Sequence, residues 1–354
     1  MDGLGARSAE RQQHVDAVLD RFFSLARGRA APLGERYVQL WESLEANTTG
    51  GKRFRPRMVM AAYDALGGTD HEVAASVGAA FELLHTALIV HDDVIDRDYT
   101  RRGMPNIAGT YRDLALLSGA DERAAEHRGI SVAVIAGDLA LSGAHRLVEE
   151  SGVSAGVRSR LLQLMDHALF ASAAGELIDV EFAVSDEVPA VDDILTMERL
   201  KTAVYSFECP LQAGAILAGA SEALVDTLGQ FGREIGIAYQ VVDDVLGVFG
   251  VEAETGKTTL GDLREGKRTV MISYATSMPE WEGVRSRFGR EDLCETDAAA
   301  MREVLERSGA KAFADGLARY YGNRAIARLA EPHVPAQLRE ELLPLASSVL
   351  GRRK

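Results

Sequence analysis

Apolar residues recur at spacings of three and four along most of the chain, the period of helices with one buried face. Val73, Val77, Phe81, Leu84 and Leu88 set this rhythm ahead of His91-Asp92-Asp93-Val94-Ile95-Asp96. The same period predicts helices over 15–26, 37–44, 130–149, 161–182, 195–220 and 228–249, one running on from Pro56 through Met58 to Ala62, and a set between 298 and 350. Pro32-Leu33-Gly34, Asn47-Thr48-Thr49-Gly50-Gly51, Ser308-Gly309-Ala310 and the segment 332–335 interrupt it. Pro210 falls inside the 195–220 pattern and should kink or interrupt that helix. The charged, Ala- and Gly-rich segment 113–129 reads as a mobile surface connection, and 97–105 as a loop by its Gly and Pro content. Alternating β-branched runs are lacking, which favours helices.

Composition narrows the range of functions. The 354 residues, 47% hydrophobic and 26% charged, can bury a sizeable core. With 39 basic and 53 acidic residues the net charge is −14, which argues against a nucleic-acid partner. Two cysteines, Cys209 and Cys294, suit a reducing compartment. The first residues lack an apolar signal core, and no segment approaches eighteen uninterrupted apolar residues, so no membrane span and a cytoplasmic location are expected.

Two acidic pairs then carry the chemistry. If the helix ending at His91 continues through the motif, Asp92 and Asp96 lie one turn apart on one face, with His85 on nearly the same face. Carboxylates that close repel unless neutralised, which suggests a hard cation on oxygen ligands, most naturally Mg²⁺ shared with a phosphate. About 150 residues later the helix 228–249 carries Gln240-Val241-Val242-Asp243-Asp244-Val245-Leu246-Gly247, and each acidic pair is followed by a basic loop. Lys52-Arg53-Phe54-Arg55-Pro56-Arg57 is a further basic run, placing Lys52 and Arg55 beside a helix N-terminus able to attract an anion. Facing a common cavity, such carboxylates would hold several Mg²⁺ ions and, with the cations, a diphosphate.

Gly51-Lys52-Arg53-Phe54-Arg55-Pro56, Leu84-His85-Thr86, Asp92-Asp93-Val94-Ile95-Asp96, Arg101-Arg102-Gly103, Lys201-Thr202, Gln240-Val241-Val242-Asp243-Asp244 and Glu265-Gly266-Lys267-Arg268 resemble, in the right order, the trans-isoprenyl diphosphate synthases or polyprenyl synthetases. The resemblance implies an all-α fold in one domain over 1–354, a single large helical bundle around a deep central cavity, with a flexible N-terminus (1–10) and a basic C-terminal tail (351–354). It implies Mg²⁺-dependent condensation of isopentenyl diphosphate with an allylic diphosphate by a homodimer. By similarity, Asp92 and Asp96, with Asp243 opposite, bind the Mg²⁺ ions, supported by Asp93 and Asp244. Arg101, Lys201, Lys257 and Lys267 serve the allylic diphosphate. Lys52, Arg55, His85 and Arg102 hold isopentenyl diphosphate, while Thr202 and Gln240 line the reacting centre.

Two positions depart from the family pattern. Gly247 stands where a third Asp is common; because Asp243 is the direct ligand, retained activity with weaker metal affinity is expected. Glu176 stands where Gln is frequent. Ala87 and Leu88, just before Asp92, are not aromatic, so the level that farnesyl-type members block is open and a geranylgeranyl product is implied, with Leu141, Ala144 or His145 as a floor. A farnesyl or longer polyprenyl product is the alternative. A class I terpene cyclase would leave Lys52, Arg55 and Arg102 without a role, and a non-catalytic partner subunit would not need an intact first motif.

Overall fold

The computed structural model describes residues 2–49, 53–101, 103–185, 187–250 and 259–352, with side chains from Arg7 onward. Its helices are α1 (Asp2–Ala30), α2 (Glu35–Thr48), α3 (Phe54–Ala65), α4 (His71–Ile95), α5 (Ile107–Leu117), α6 (Glu122–Glu149), α7 (Ala155–Val184), α8 (Val191–Glu198), a π-helix (Arg199–Glu208), α9 (Cys209–Leu217), α10 (Glu222–Phe249), α11 (Gly261–Glu265), α12 (Val270–Thr276), α13 (Glu295–Arg307), α14 (Ala310–Leu329) and α15 (Ala336–Gly351). The one ladder among the described residues is a two-residue hairpin, Thr100–Arg101 against Met104–Pro105, so the fold is all-α as the periodicity predicts. One expectation changes. Segment 113–129 is mostly helix, the end of α5 and the start of α6, because Asp121 caps the new helix by accepting the Ala124 N–H at 2.9 Å. The N-terminus is helical from Asp2.

The chain divides into two compact units: residues 1–169 with 209–221, and residues 170–208 with 222–354. In the first, α4 is apolar on nearly all sides and correspondingly buried, with Ala74, Ala75, Val77, Phe81, Leu83 and Leu84 at 1% exposure or less. α6 packs along it through small residues, Ala133, Ala136, Ala140 and Ala144. By length and composition alone α4 and α6 pass the test for a bilayer-crossing helix, as core helices also do; 72% of the apolar window of α4 and 39% of that of α6 is buried in the protein. The core of the second unit joins α8, α10, α12, α13 and α14 through residues such as Ile194, Val241, Met271, Trp281, Met301 and Ala314.

A polar staple holds the first unit where the basic run meets α3. Arg53 adopts a left-handed backbone (φ 48°) and is 4% exposed. Its Nε donates to Asp16 on α1 at 3.0 Å, and its Nη1 donates to the Thr48 carbonyl and to Glu82 on α4, the latter at 3.3 Å. Three helices thus share one guanidinium. Arg53→Ala would leave Glu82 buried without its cation, so a stability loss of about 3 kcal/mol is expected in chemical denaturation. Adding Glu82→Gln should recover part of it; equal stability of parent and single variant would refute the staple.

Candidate active site

The first acidic motif closes α4. The Asp96 N–H donates to the Asp92 carbonyl at 2.8 Å, so the helical turn persists through Asp96 and the two carboxylates are one turn apart, as the spacing predicts. The Asp98 N–H then reaches the Asp93 carbonyl (2.8 Å) and the Arg97 N–H the Val94 carbonyl (3.4 Å), with Arg97 left-handed at φ 59°. This is a Schellman cap with Arg in the position that glycine normally takes. Asn106 secures the returning chain: its Nδ2 donates to the Asp98 carbonyl (2.8 Å) and its Oδ1 caps α5 at Gly109 (2.8 Å). The hairpin turns Arg101 back onto the motif. Arg101 donates from Nε (2.9 Å) and Nη2 (2.5 Å) to Asp93, and from Nη2 to Asp92 at 3.4 Å.

The members of the motif therefore differ. Asp93 is buried and engaged by Arg101, Asp92 is half-buried and Asp96 exposed. Burial pushes the Asp93 carboxyl above its ordinary range even though Arg101 pulls it down. Burial pulls Arg101 down, but Asp93, Asp92 and Asp98 more than offset this and raise it. His85, Leu88, Ile89 and Asp92 form a half-buried stripe on α4, while Ala87 is 1% exposed. Arg55, in the first turn of α3, is half-buried. Lys52, Arg102 and Lys257 lie outside the described residues.

In the second unit the π-helix carries Lys201 and Thr202. Pro210 has no N–H to give to the preceding turn, and α8 relaxes into wider π turns before α9 begins, which is the interruption expected there. Gly175 on α7 lets the π-helix approach closely: a Cβ there would overlap the Lys201 backbone nitrogen and stand 2.6 Å from its Cα. Lys201 Nζ lies 3.0 Å from Glu176 Oε2 and 2.6 Å from Asp179 Oδ2. Glu176, one of the two departures noted in the sequence, is thus matched by a cation.

Around the second motif, Asp244 is 2% exposed and accepts from Lys267 Nζ at 2.9 Å and from Gln240 Nε2 at 3.2 Å. Glu198, at the end of α8, is equally buried, and neither of its oxygens accepts a hydrogen bond. Burial raises its carboxyl well above the ordinary value, and the negative charge of Asp244 and a hydrogen bond to it raise it further, against a lowering by Lys267. Burial beside Asp244 thus favours the neutral form of the Glu198 carboxyl. Burial lowers Lys267, but Asp244, Asp262 and Asp243 raise it well above its usual value. Asp243 is half-buried and faces Arg352, whose Nη1 is 3.8 Å away while its guanidinium stacks over Tyr239 at 4.6 Å. Arg352 belongs to the basic tail; Arg353 and Lys354 lie outside the described residues.

Both acidic ends share one plan: a buried Asp saturated by cations and donors, beside a more accessible Asp. No group of three or more His, Cys, Asp or Glu side chains converges as a metal cage among the described residues. That suits Mg²⁺, which keeps several waters and takes one or two carboxylates plus substrate phosphate oxygens. The guanidinium facing Asp243 likewise marks a position that favours positive charge.

Residues 38–305 match the polyprenyl synthetase family model. The chain belongs to the polyprenyl synthetase family. It is 32% identical over 317 residues to a geranylfarnesyl diphosphate synthase of Aeropyrum pernix, covering 88% of this chain and 93% of that one. It is 30% identical to a (2E,6E)-farnesyl diphosphate synthase of Mycobacterium tuberculosis, covering 87% and 81%. A geranylgeranyl pyrophosphate synthase from Corynebacterium glutamicum, crystallised with isoprenyl diphosphate and magnesium, superposes with a TM-score of 0.89 at 30% identity, covering 97% and 98%. This polyprenyl synthetase is a Mg²⁺-dependent trans-prenyltransferase that condenses isopentenyl diphosphate with an allylic diphosphate.

Sequence reasoning missed Glu198, Asp179 and Asp262. The one available signal was the position of Glu198 a single turn before Lys201. Glu198 keeps its proton on folding at pH values where the unfolded carboxyl, near 4.5, has lost it, so its contribution to stability falls as pH rises above that value. In the absence of Mg²⁺, Glu198→Gln should remove this slope. Its stability relative to the parent, from chemical denaturation, should be greater at about pH 8 than near pH 5. An equal difference at both would show that Glu198 is ionised.

Proposed function

We propose that the product is geranylgeranyl diphosphate, made by a cytoplasmic homodimer. The observation that carries the product assignment is the half-buried stripe on α4 below Asp92, where Leu88, not an aromatic residue, stands one turn before the motif. Ala87 is enclosed at 1% exposure, so Leu88 takes the channel-facing role that the sequence shared between the two. The relatives bear farnesyl, geranylgeranyl and geranylfarnesyl names, so the assignment rests on this stripe.

In this reading Asp92, Asp96 and Asp243 hold Mg²⁺, while Asp93 and Asp244 keep Arg101 and Lys267 in place. Bound Mg²⁺ supplies charge neutralisation for the departing diphosphate. Arg101, Lys201 and Lys267, with Lys257, add charge-assisted hydrogen bonds to that group, strongest as its negative charge develops. Arg55 and His85, with Lys52 and Arg102, hold isopentenyl diphosphate; its double bond attacks the allylic carbon, and the released diphosphate takes the proton. Thr202 and Gln240 line the reacting centre, and Gln240 is oriented by its bond to Asp244.

Homodimerisation is supported by apolar side chains exposed on α5 and α6 of the first unit: Leu114 at 43%, Leu117 at 86%, Val134 at 40% and Ile135 at 50%. Ile135→Glu should produce a monomer in analytical ultracentrifugation; an unchanged mass would rule this face out. A cytoplasmic location is supported by Cys209 and Cys294, neither of which is in a disulfide.

The product test is incubation with Mg²⁺, isopentenyl diphosphate and each allylic primer, read by mass spectrometry. Geranylgeranyl diphosphate as the main product is expected, and a farnesyl or longer main product would refute the assignment. Leu88→Phe should shift the product towards farnesyl diphosphate. Ala87→Phe, at a closed position, should cost about 1–3 kcal/mol by overpacking. A parental product profile from Leu88→Phe would remove Leu88 from the channel.

A further inference from the structure

A cavity of about 190 Å³ lies in the first unit between α1, α2 and α6. It is distinct from the proposed product channel. On α6 its wall is Leu139, Ser142, Gly143 and Arg146, whose spacing of three and four puts them on one helix face. A Cβ at Gly143 would stand 2.5 Å from Phe22 Cζ on α1 and 3.3 Å from Leu83 Cδ1 on α4. Leu83 precedes His85 by two residues, which turns it about 200° round α4 from that residue and the half-buried stripe it begins. The cavity therefore sits on the opposite side of α4 from the stripe.

The inner wall is aromatic, and its charges are of one sign. The rings of Phe22 and Trp41 meet edge to face with centroids 6.1 Å apart, and those of Trp41 and Tyr37 do so at 6.4 Å. The Arg146 guanidinium stands over the Phe22 ring at 4.9 Å, and Arg29 is exposed at the mouth. Two arginines and no carboxylate line this cavity, in a chain whose net charge is −14. Arg146 Nε is buried without a hydrogen-bond partner, and Glu150 Oε2 stands 3.9 Å from it, beyond hydrogen-bond reach. A buried donor with no acceptor is costly, and an anion in the cavity would remove that cost.

We propose that this cavity binds a small amphipathic anion, a phosphate or carboxylate head on an apolar body the size of one ring or a short branched chain. The head accepts hydrogen bonds from Arg146 and is neutralised further by Arg29, since a guanidinium suits either oxyanion. The body lies against Phe22, Tyr37 and Trp41. An apolar cavity of about 150 Å³ is enough for benzene, so the volume here suits one ring.

Trp41 lines the cavity, and Trp281 in the core of the second unit is the other of the two tryptophans, so Trp281→Phe leaves Trp41 as the reporter. The full-length Trp281→Phe protein is titrated with benzyl phosphate and, separately, with phenylacetate, following tryptophan emission. A saturable change with at least one of them is expected, and the tighter of the two identifies the preferred head. Benzyl alcohol and inorganic phosphate, the body and the head alone, should each bind about tenfold more weakly or worse. Arg146→Gln should weaken the preferred anion about tenfold, and Arg29→Gln should weaken it less. Thermal denaturation separates a binding loss from misfolding. Saturation-transfer NMR of the same anions on the parent and Arg29→Gln proteins decides the question if Trp281→Phe or Arg146→Gln does not fold. No saturable binding of either anion would overturn the inference. Equal binding of benzyl alcohol or of inorganic phosphate, or parental affinity in a folded Arg146→Gln protein, would overturn it too.

Discussion

A carboxylate that leaves water must be met by a cation, a metal or a proton, because an unpaired buried charge is too costly to retain. That constraint organises both acidic ends of this polyprenyl synthetase. Asp93 is met by Arg101, which requires the chain to double back after α4; the Schellman cap, the left-handed Arg97 and the two-residue hairpin are the means. Asp244 is met by Lys267 and Gln240, with the buried Glu198 beside it, which requires α8, α10 and the loop after α11 to converge. The more accessible carboxylates, Asp92 and Asp243, stand beside these partnered neighbours. Lys201 repeats the theme with reversed sign, held by Glu176 and Asp179.

Much of this was legible in the chain itself. Helical periodicity gave the class, and the strongly periodic segments, α4 and α10, were placed well because one apolar face repeats over many turns. The turn between Asp92 and Asp96 followed from spacing alone. Segment 113–129 was misread because charge and Ala content describe an exposed helix as well as a loop, and only the Asp121 cap distinguishes them. Roles set by residues close in sequence were readable for the same reason that the helices were.

Roles set by distant contacts were not. Arg53 reads as one more member of a basic run, yet it is the buried one, because its left-handed backbone turns the side chain towards Asp16 and Glu82. Glu198 carries no signature of protonation until Asp244 is seen beside it. Gly247 reads only as a missing carboxylate, and the sequence does not show that the Asp262 carboxylate packs against it. Leu88 and Ala87 are interchangeable in a sequence argument, whereas burial separates them.

The pairing of Arg101 with Asp93 has a thermodynamic consequence. An anion that draws Arg101 away uncovers a buried carboxylate, and a cation that neutralises the carboxylates frees Arg101 for the anion. Each ligand removes a penalty that the other would otherwise meet, and by linkage the benefit is reciprocal. Under the proposed roles, the first acidic end would favour metal and diphosphate together over either one alone. That preference would reside in one guanidinium, apart from any contact with the prenyl chain.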